Sequence, residues 1–274
     1  MLRERATQNA LAELGYPAPR VLLAVTDESA LGGPFLIMER LPGSVLTKAR
    51  LINMSRVLVD LQLRLHALTP EPLLRAFDRE GVSREVATFD GTLARLEQRV
   101  AGASLSGLVP AMRWLREHRR RDEGRPVICH GDFHPHNILM LRNVVTGVLD
   151  WPNAIVAEPE FDVAATNVIL RFVPVQLAAI PAPVRWLAAI GQPILAARYL
   201  SGYRRRRPLD PDRLRYYEVA NCMRALVRIG ESRCYRSGPG RPSIDPLDTP
   251  LFTARLTAHI ARVTGVVAML PPGA

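Results

Sequence analysis

The sequence predicts an α+β protein in which one helix and a β-hairpin precede a mainly helical body. Residues 3–14 have small or apolar side chains at helical spacing, and Gly15 supplies a stop signal. Two short apolar runs, 21–25 and 35–38, are typical of paired strands separated by a turn. The polar stretch 129–151 lies between further apolar runs, which indicates a small β-element inside the helical body.

Regularly spaced apolar residues predict a series of helices in the body, some before the polar stretch and some after it. Pro70 and Pro72 are predicted to separate the first two of them. Asp162 stands just before the apolar run that follows the polar stretch, and it is predicted to cap that helix. The predicted helices span residues 52–67, 88–100, 110–120, 163–172, 184–203, 211–230 and 249–269.

Length and composition are those of an ordinary globular protein. With 274 residues, of which 48% are hydrophobic and 23% charged, the chain is long enough to bury a large core. The charged, helical pattern of residues 1–14 is unlike a signal peptide, and no uncharged apolar run reaches the length of a membrane span. Three cysteines without a C-x-x-C spacing argue against a disulfide framework or a zinc module, so we expect a cytoplasmic protein.

The formal charge of +10 is placed unevenly along the chain. Residues 1–164 carry equal numbers of basic and acidic side chains, whereas residues 165–274 carry 16 arginines and six acidic residues. This asymmetry indicates either a solvated, arginine-rich surface or contact with an anionic partner. The basic run Arg204–Arg207 lacks interleaved aromatic residues, so we expect no nucleic acid partner.

Polar side chains of the types that serve in catalysis and metal binding are concentrated in residues 129–151. This segment has a strand, loop, strand, turn, strand pattern. Crowding of such side chains on a loop between strands is typical of a catalytic site, and two divalent-metal interpretations are open. In the first, His130, His134 and His136 supply imidazole ligands for zinc or iron. Pro135 argues against the regular strand that this spacing would need.

The second interpretation uses oxygen groups, with Asp132, Asn137 and Asp150 serving Mg²⁺ and phosphate. The order His-x-Asp-x-x-x-x-Asn, then a hairpin, then Asp, is that of a kinase catalytic loop and its metal-binding carboxylate. An aspartate at the loop tip can take the proton of an attacking hydroxyl. The asparagine and the second aspartate can hold the metal that neutralises charge.

One segment resembles the signature of the aminoglycoside phosphotransferase family, the kinase-like enzymes that include choline, homoserine and macrolide kinases. It reads H-G-D-F-H-P-H-N-I-L from His130 onward and ends in L-D-W at Trp151. Further segments resemble the family in the same order, so that the resemblance covers residues 3–170. They are Glu4 in the first helix, Phe35–Gly43 at a strand and hinge, Leu65-His66 at a helix end, and Glu158–Ala164, where Glu158 replaces the family's aspartate.

The resemblance implies a protein-kinase-like fold and the transfer of phosphate from ATP or GTP to a hydroxyl group of a small molecule. It implies that Asp132 is the catalytic base and that Asn137 and Asp150 hold Mg²⁺. His130 would orient the loop, and Asp162 would form a hydrogen bond to the loop backbone.

The resemblance also implies that adenine binds backbone groups of the hinge, at Met38, Glu39 and Leu41. It divides the chain into two parts with distinct tasks. The implied parts are a remnant N-terminal lobe and hinge at 1–43 and a helical C-terminal lobe at 44–274, with the catalytic loop at 129–151 and substrate-side helices at 165–274.

One part of the family pattern is missing. A glycine-rich loop and a strand lysine should precede the glutamate helix, but only three residues precede Glu4, and the one lysine, Lys48, follows the hinge. We therefore expect a truncated N-terminal lobe. Three explanations are open: a misplaced start or a fragment, a pseudo-kinase, or an enzyme in which Arg3 or Arg5 replaces the lysine.

Two functional hypotheses follow from these observations. In the first, the chain is a phosphotransferase with an alcohol group as acceptor. In the second, it is a truncated pseudo-kinase that binds nucleotide or ligand without phosphoryl transfer. The positive charge of residues 165–274 disfavours a polycationic acceptor, so we expect a neutral or anionic one.

Overall fold

The first helix and hairpin of the computed structural model follow the sequence pattern closely. Helix α1 (Leu2–Glu13) precedes strands β1 (Val21–Val25) and β2 (Phe35–Met38), which pair in antiparallel fashion. Asn9 fastens this hairpin to the helix, because its side-chain amide accepts from Val21 N and donates to Val21 O at 2.8 and 3.1 Å. The structure describes residues 1–27, 29, 31–46, 51–120, 125–173, 182–234 and 245–272.

Five more strands frame the polar stretch. Two of the loops between them position the candidate site, and the tight turn at Arg142-Asn143 has positive φ at both residues, as a two-residue hairpin turn requires. The strands form a sheet of order β3-β5-β6 and a separate pair, β4-β7. They are β3 (Ser44–Val45), β4 (Val127–Cys129), β5 (Ile138–Leu141), β6 (Val144–Val148) and β7 (Ile155–Ala157).

The helical body surrounds α6, whose described neighbours include α7, α8 and α9. Most side chains of α6 are buried on every face, as expected for a helix at the centre of a core. The helices are α2 (Leu51–His66), α3 (Glu71–Arg79), α4 (Phe89–Gly102), α5 (Val109–Glu117), α6 (Pro159–Phe172), α7 (Ala182–Arg206), α8 (Pro211–Cys234) and α9 (Pro250–Thr264).

The structure adds one helix to those predicted, and it corrects the start and the cap of the helix that follows the polar stretch. Pro70 and Pro72 lie between α2 and α4, as predicted, but a further helix begins there: Pro72 lies in the first turn of α3, where its missing N–H costs nothing. Pro159 likewise opens α6, so that helix begins four residues earlier than predicted. Its N-cap position is held by Glu158, and Asp162 is therefore free to bond elsewhere.

The last predicted helix is shorter than its apolar pattern suggested. α9 ends at Thr264, and Gly265 follows in the left-handed conformation with φ +72°, a common helix stop. Across the described residues, no helix is both long and apolar enough to cross a membrane.

Candidate active site

The central loop of the site runs from His130 to Asn137, between β4 and β5. All three residues of β4 are buried, and a short 3₁₀ turn at Pro135–Asn137 leads into β5. The loop is thus held at both ends by strands, which is the arrangement that positions polar side chains accurately.

Asp162, on α6, anchors this loop through a hydrogen bond to its backbone. Its Oδ1 accepts a hydrogen bond from the Gly131 N–H at 2.7 Å, and its Oδ2 accepts from Gln62 Nε2 at 2.9 Å and lies 3.1 Å from His66 Nε2. Burial opposes ionisation of this carboxyl, but the bonds and charges of His66, with the N–H of Gly131, outweigh it and lower its pKa. Asp162 is therefore a buried charge fully supported by donors.

His66, at the end of α2, connects Asp162 to α7. Its Nδ1 lies 2.6 Å from the hydroxyl of Tyr203, and both side chains are buried. The network therefore joins the loop to two helices that are more than 100 residues apart in sequence.

His130 ties the loop to the segment before Asp150. Its Nε2 donates to Leu149 O at 2.9 Å, and its Nδ1 accepts from the Asp132 N–H at 3.2 Å. Both ring nitrogens are engaged, and the ring lies 4.3 Å from that of buried Trp151. Since neither nitrogen is free to bind a metal, the histidine-metal interpretation loses one of its three ligands. Among the described residues, no three His, Cys, Asp or Glu side chains form a group suited to a metal ion.

Asn137 and Asp132 face each other across the loop. The side-chain amide of Asn137 donates to the main-chain oxygen of Asp132 at 3.0 Å, while its Oδ1 accepts no hydrogen bond from the described residues. Leu149 N donates to Asn137 O at 2.8 Å. This bond holds Leu149, the residue directly before Asp150, alongside the loop. The Asp132 side chain is 33% exposed, so it can meet a ligand from solvent.

Asp150 has an exposed side chain and a left-handed backbone, with φ +67°. Aspartate tolerates this region better than most residues, and such conformations concentrate at functional sites. No described side chain forms an ion pair with its carboxylate. Together with the free Oδ1 of Asn137, it gives a set of hard oxygen donors, which fits Mg²⁺.

The sequence gives no indication that His134 lies next to the candidate base. Its Nδ1 accepts from the His136 N–H at 3.3 Å, which assigns the ring proton to Nε2, and Nε2 lies 3.7 Å from Asp132 Oδ1. Burial lowers the pKa of His134, while the charge of Asp132 opposes that shift. A neutral imidazole N–H thus faces the candidate base.

The predicted hinge residues lie at the end of β2 and just after it. The Glu39 N–H donates to Arg20 O at 2.9 Å, and the Glu39 carboxylate accepts from Arg20 N at 3.0 Å. Within the described residues no hydrogen bond reaches Glu39 O or Leu41 N, so this pair of groups is available to a ligand. Leu41 packs over Gly147 of β6, where a Cβ would meet Leu41 Cδ1 at 2.5 Å. Met38, at the end of β2, is 38% exposed.

Glu4 of α1 faces the same region as Asp150. Burial raises the pKa of Glu4, the terminal amino group of Met1 opposes this, and the charge of Asp150 adds to it. Arg5 pairs with Glu80 just after α3, and Arg3 donates to the carbonyl oxygen of Ala154. Neither arginine pairs with Glu4, and Lys48 lies outside the described residues.

Two residues that support the loop were missed by sequence reasoning. Arg224 of α8 donates to Gly131 O at 2.9 Å, and Thr166 of α6 donates to Phe133 O at 2.9 Å. Both come from helices outside the polar stretch, where a polar residue on a helix face gives no sign of its partner. In the sequence, Glu158 is visible only as a departure from the family pattern. It is a buried acceptor for Tyr217 Oη at 2.5 Å and Arg119 at 3.3 Å.

Solved structures of aminoglycoside phosphotransferases have the same fold. An aminoglycoside-3'-phosphotransferase of type VIII superposes with a TM-score of 0.58 at 24% identity, covering 79% of this chain and 77% of that one. A mutant of aminoglycoside phosphotransferase APH(4)-Ia, in ternary complex with ADP and hygromycin B, gives 0.59 at 16% identity, covering 96% and 81%. These similarities show a protein-kinase-like fold.

Sequence comparison shows the family to which the chain belongs. It is 29% identical over 175 residues to acyl-CoA dehydrogenase family member 10 of Mus musculus, a match that covers 59% of this chain and 16% of that protein. The chain thus spans less than a fifth of this curated relative. The sequence pattern of the APH phosphotransferase enzyme family matches residues 1–217, which is most of the chain. This protein therefore belongs to the phosphotransferase enzyme family.

Proposed function

We propose that this chain transfers the terminal phosphoryl group of ATP or GTP to a hydroxyl group of a small molecule. The observation that carries the proposal is the joining of Asp132 and Asn137 by a hydrogen bond at 3.0 Å, with Asp150 brought alongside through Leu149. The proposed base and the two proposed oxygen ligands therefore lie on one loop and just after the neighbouring strand.

Asp132 is the proposed general base. It accepts the proton of the acceptor hydroxyl as the oxygen attacks, a contribution that is typically worth about 10²–10⁴ in rate. Its backbone is held by His130 and Asn137, and its carboxylate is partly exposed to a ligand. Bound Mg²⁺, held by Asn137 and Asp150, would neutralise the phosphate charge.

The nucleotide is proposed to bind at the hinge. Glu39 O can accept a hydrogen bond and Leu41 N can donate one, which is what the edge of a purine base needs. One structure with the same fold is a complex with ADP, which supports the use of a nucleotide. Met38 and Leu41 supply apolar surface beside it.

The decisive experiment is phosphoryl transfer by Asp132→Asn. Turnover of ATP and GTP with Mg²⁺ is measured over a panel of hydroxylated metabolites, and kcat is expected to fall by about 10²–10⁴ in the variant. Asp212→Asn is the matched control, because Asp212 is exposed and pairs only locally with Arg215. Equal turnover in Asp132→Asn and the wild type would refute the assignment of the base.

A second candidate is nucleotide or ligand binding without transfer. Glu4 favours it: among the described side chains, only Gln8 is seen to donate to its carboxylate, and no lysine or arginine pairs with it. In kinases, a glutamate at this place forms an ion pair with the lysine that binds the phosphates, and this pair is incomplete when the glutamate has no cationic partner. Binding of AMP-PNP by calorimetry, with no turnover of any acceptor, would favour this candidate. Turnover that vanishes in Asp132→Asn would exclude it.

A further inference from the structure

A cavity of about 150 Å³ lies beside the catalytic loop and is rich in arginine. Its walls include side chains of α1, α4 and α8 and of the segment after Asp150. A larger cavity of about 500 Å³ lies between α2 and α7, where Asp60 already pairs with Arg206. The polar residues of the smaller cavity are Arg3, Thr92, Arg95, Arg99, Asn153 and Arg224.

The positive charge in this cavity is only partly balanced, and Asp132 and Asp162 act on Arg224 through their charge alone. Arg99 pairs with Glu231 at 2.6 Å. Arg3, Arg95 and Arg224 pair with no carboxylate of the described residues and donate instead to carbonyl oxygens or neutral side chains. Several cations that share one partly buried space repel each other unless an anion enters it.

The electrostatics of these side chains agree with their crowding. Burial, with the charges of Arg95 and Arg224, lowers the pKa of Arg3 to about 10. The Nε–H of Arg3 is also buried without an acceptor among the described residues. A guanidinium that is crowded by cations and short of an acceptor is a ready donor to an anionic ligand.

The cavity shares a wall with the catalytic loop. Arg224 donates to the carbonyl oxygen of Gly131, the residue directly before Asp132. Asn153 packs against the same glycine, since a Cβ there would meet Asn153 O at 2.6 Å. A ligand whose hydroxyl meets Asp132 can therefore extend a second group toward the arginines.

We propose that the acceptor alcohol carries an anionic group, a phosphate or a carboxylate, which Arg3, Arg95 and Arg224 bind in this cavity. The identity of the bound molecule as acceptor rests on the proposed phosphotransferase function, whereas the anion site itself does not. Guanidinium groups bind both anions through paired hydrogen bonds, and they repel a polycationic acceptor.

Calorimetric titration tests the site without catalysis. Inorganic phosphate and acetate are titrated into the full chain, first without nucleotide and then with AMP-PNP and Mg²⁺ at saturation. We expect at least one anion to bind in both states and to bind at least tenfold more weakly to Arg95→Gln. Arg95→Lys, which keeps the charge, should restore part of the affinity, and Arg204→Gln, an exposed arginine of α7, should bind as the wild type.

Equal affinity in Arg95→Gln and the wild type would overturn the proposal, as would binding that AMP-PNP abolishes, since the anion would then occupy the nucleotide site. Circular dichroism and thermal unfolding show whether Arg95→Gln folds. If it does not, Arg3→Gln serves the same comparison.

Matched acceptors test the link to catalysis. Glycerol 3-phosphate is compared with glycerol, and 3-hydroxybutyrate with its amide. The anionic member of a pair should have a kcat/KM at least tenfold higher, and Arg95→Gln should lose that preference. Anion binding without turnover of any acceptor would refute the phosphotransferase function and leave the anion site standing. Turnover with equal kcat/KM for charged and neutral members would refute the anionic acceptor alone.

Discussion

The side-chain amide of Asn137 donates a hydrogen bond to the main-chain oxygen of Asp132 at 3.0 Å. The candidate metal ligand therefore also sets the position of the candidate base. A change at Asn137 should consequently affect two functions at once, the hold on Mg²⁺ and the placement of Asp132.

Asn137→Asp replaces the donating amide with an acceptor and removes this bond. We expect a loss of stability of about 1–3 kcal/mol, because two oxygens would then face each other, and a larger loss in kcat than in nucleotide affinity. Urea unfolding and steady-state kinetics measure the two effects. Asn143→Asp is the control, since Asn143 lies in an exposed turn with φ +67°, which aspartate also tolerates. Full activity of Asn137→Asp would contradict the dual role.

Gly131 is required by both its conformation and its neighbour. Its φ is +76°, and a Cβ would meet Asn153 O at 2.6 Å. Gly131→Ala should lose more stability than the roughly 1–2 kcal/mol that a left-handed backbone alone costs, and should lose activity as the loop shifts. Gly15→Ala separates the two effects, because Gly15 has φ +74° with nothing within 4 Å. Equal stability losses in the two variants, measured by urea unfolding, would show that the contact with Asn153 is unimportant.

Adjacent tyrosines of α8 offer a comparison of charged and neutral acceptors. Tyr217 donates to the carboxylate of Glu158 at 2.5 Å, whereas Tyr216 donates to Leu115 O at 2.9 Å. Removal of the first hydroxyl should cost about 1.5–3 kcal/mol and removal of the second about 0.5–1.5 kcal/mol. Urea unfolding of Tyr217→Phe and Tyr216→Phe checks this order. The reverse order would mean that Arg119 alone satisfies Glu158.

Asp162 should make stability fall in acid. Its pKa is lowered in the folded chain, so the unfolded chain, with a carboxyl pKa near 3.9, binds more protons in acid. The stabilisation is therefore fully present above about pH 4–5 and is lost as the pH falls through the folded-state pKa. Asp162→Asn should be destabilised at pH 7 and should show a shallower loss of unfolding free energy between pH 5 and pH 3, about the carboxyl range. Parallel pH profiles of the two proteins would refute this linkage.

The elements that the sequence predicts well are those with a local signal. β1 and β2 begin and end at the predicted residues, and the turn at Arg142-Asn143 lies where two polar residues separate apolar runs. β3 and β7, of two and three residues, are too short for any period to be read. α3 was missed because Pro72 was interpreted as a break, although proline is well tolerated in a first turn.

The candidate site divides in the same way. Asp132, Asn137 and Asp150 lie within one stretch of the sequence, where spacing alone indicates a common task. The arginine cavity was not predicted, because only Arg224 of its four arginines lies in residues 165–274, where the sequence has its surplus of positive charge. Arg3, Arg95 and Arg224 lie on three helices, and only the packing of those helices brings their side chains together. Side-chain sets that depend on tertiary packing have no period or spacing to reveal them.

Asp162 and Asp132 should differ in how well they tolerate substitution. Asp162 forms buried hydrogen bonds, whereas the carboxylate of Asp132 is partly exposed to solvent. A gene copy retained only for the shape of its product would keep Asp162, His66 and Gly131, since each is part of the packing. It would accept change at Asp132, whose side chain supports nothing else in the core. Homologous lineages that keep the first three residues and vary the last would thereby record the loss of chemistry on a preserved scaffold.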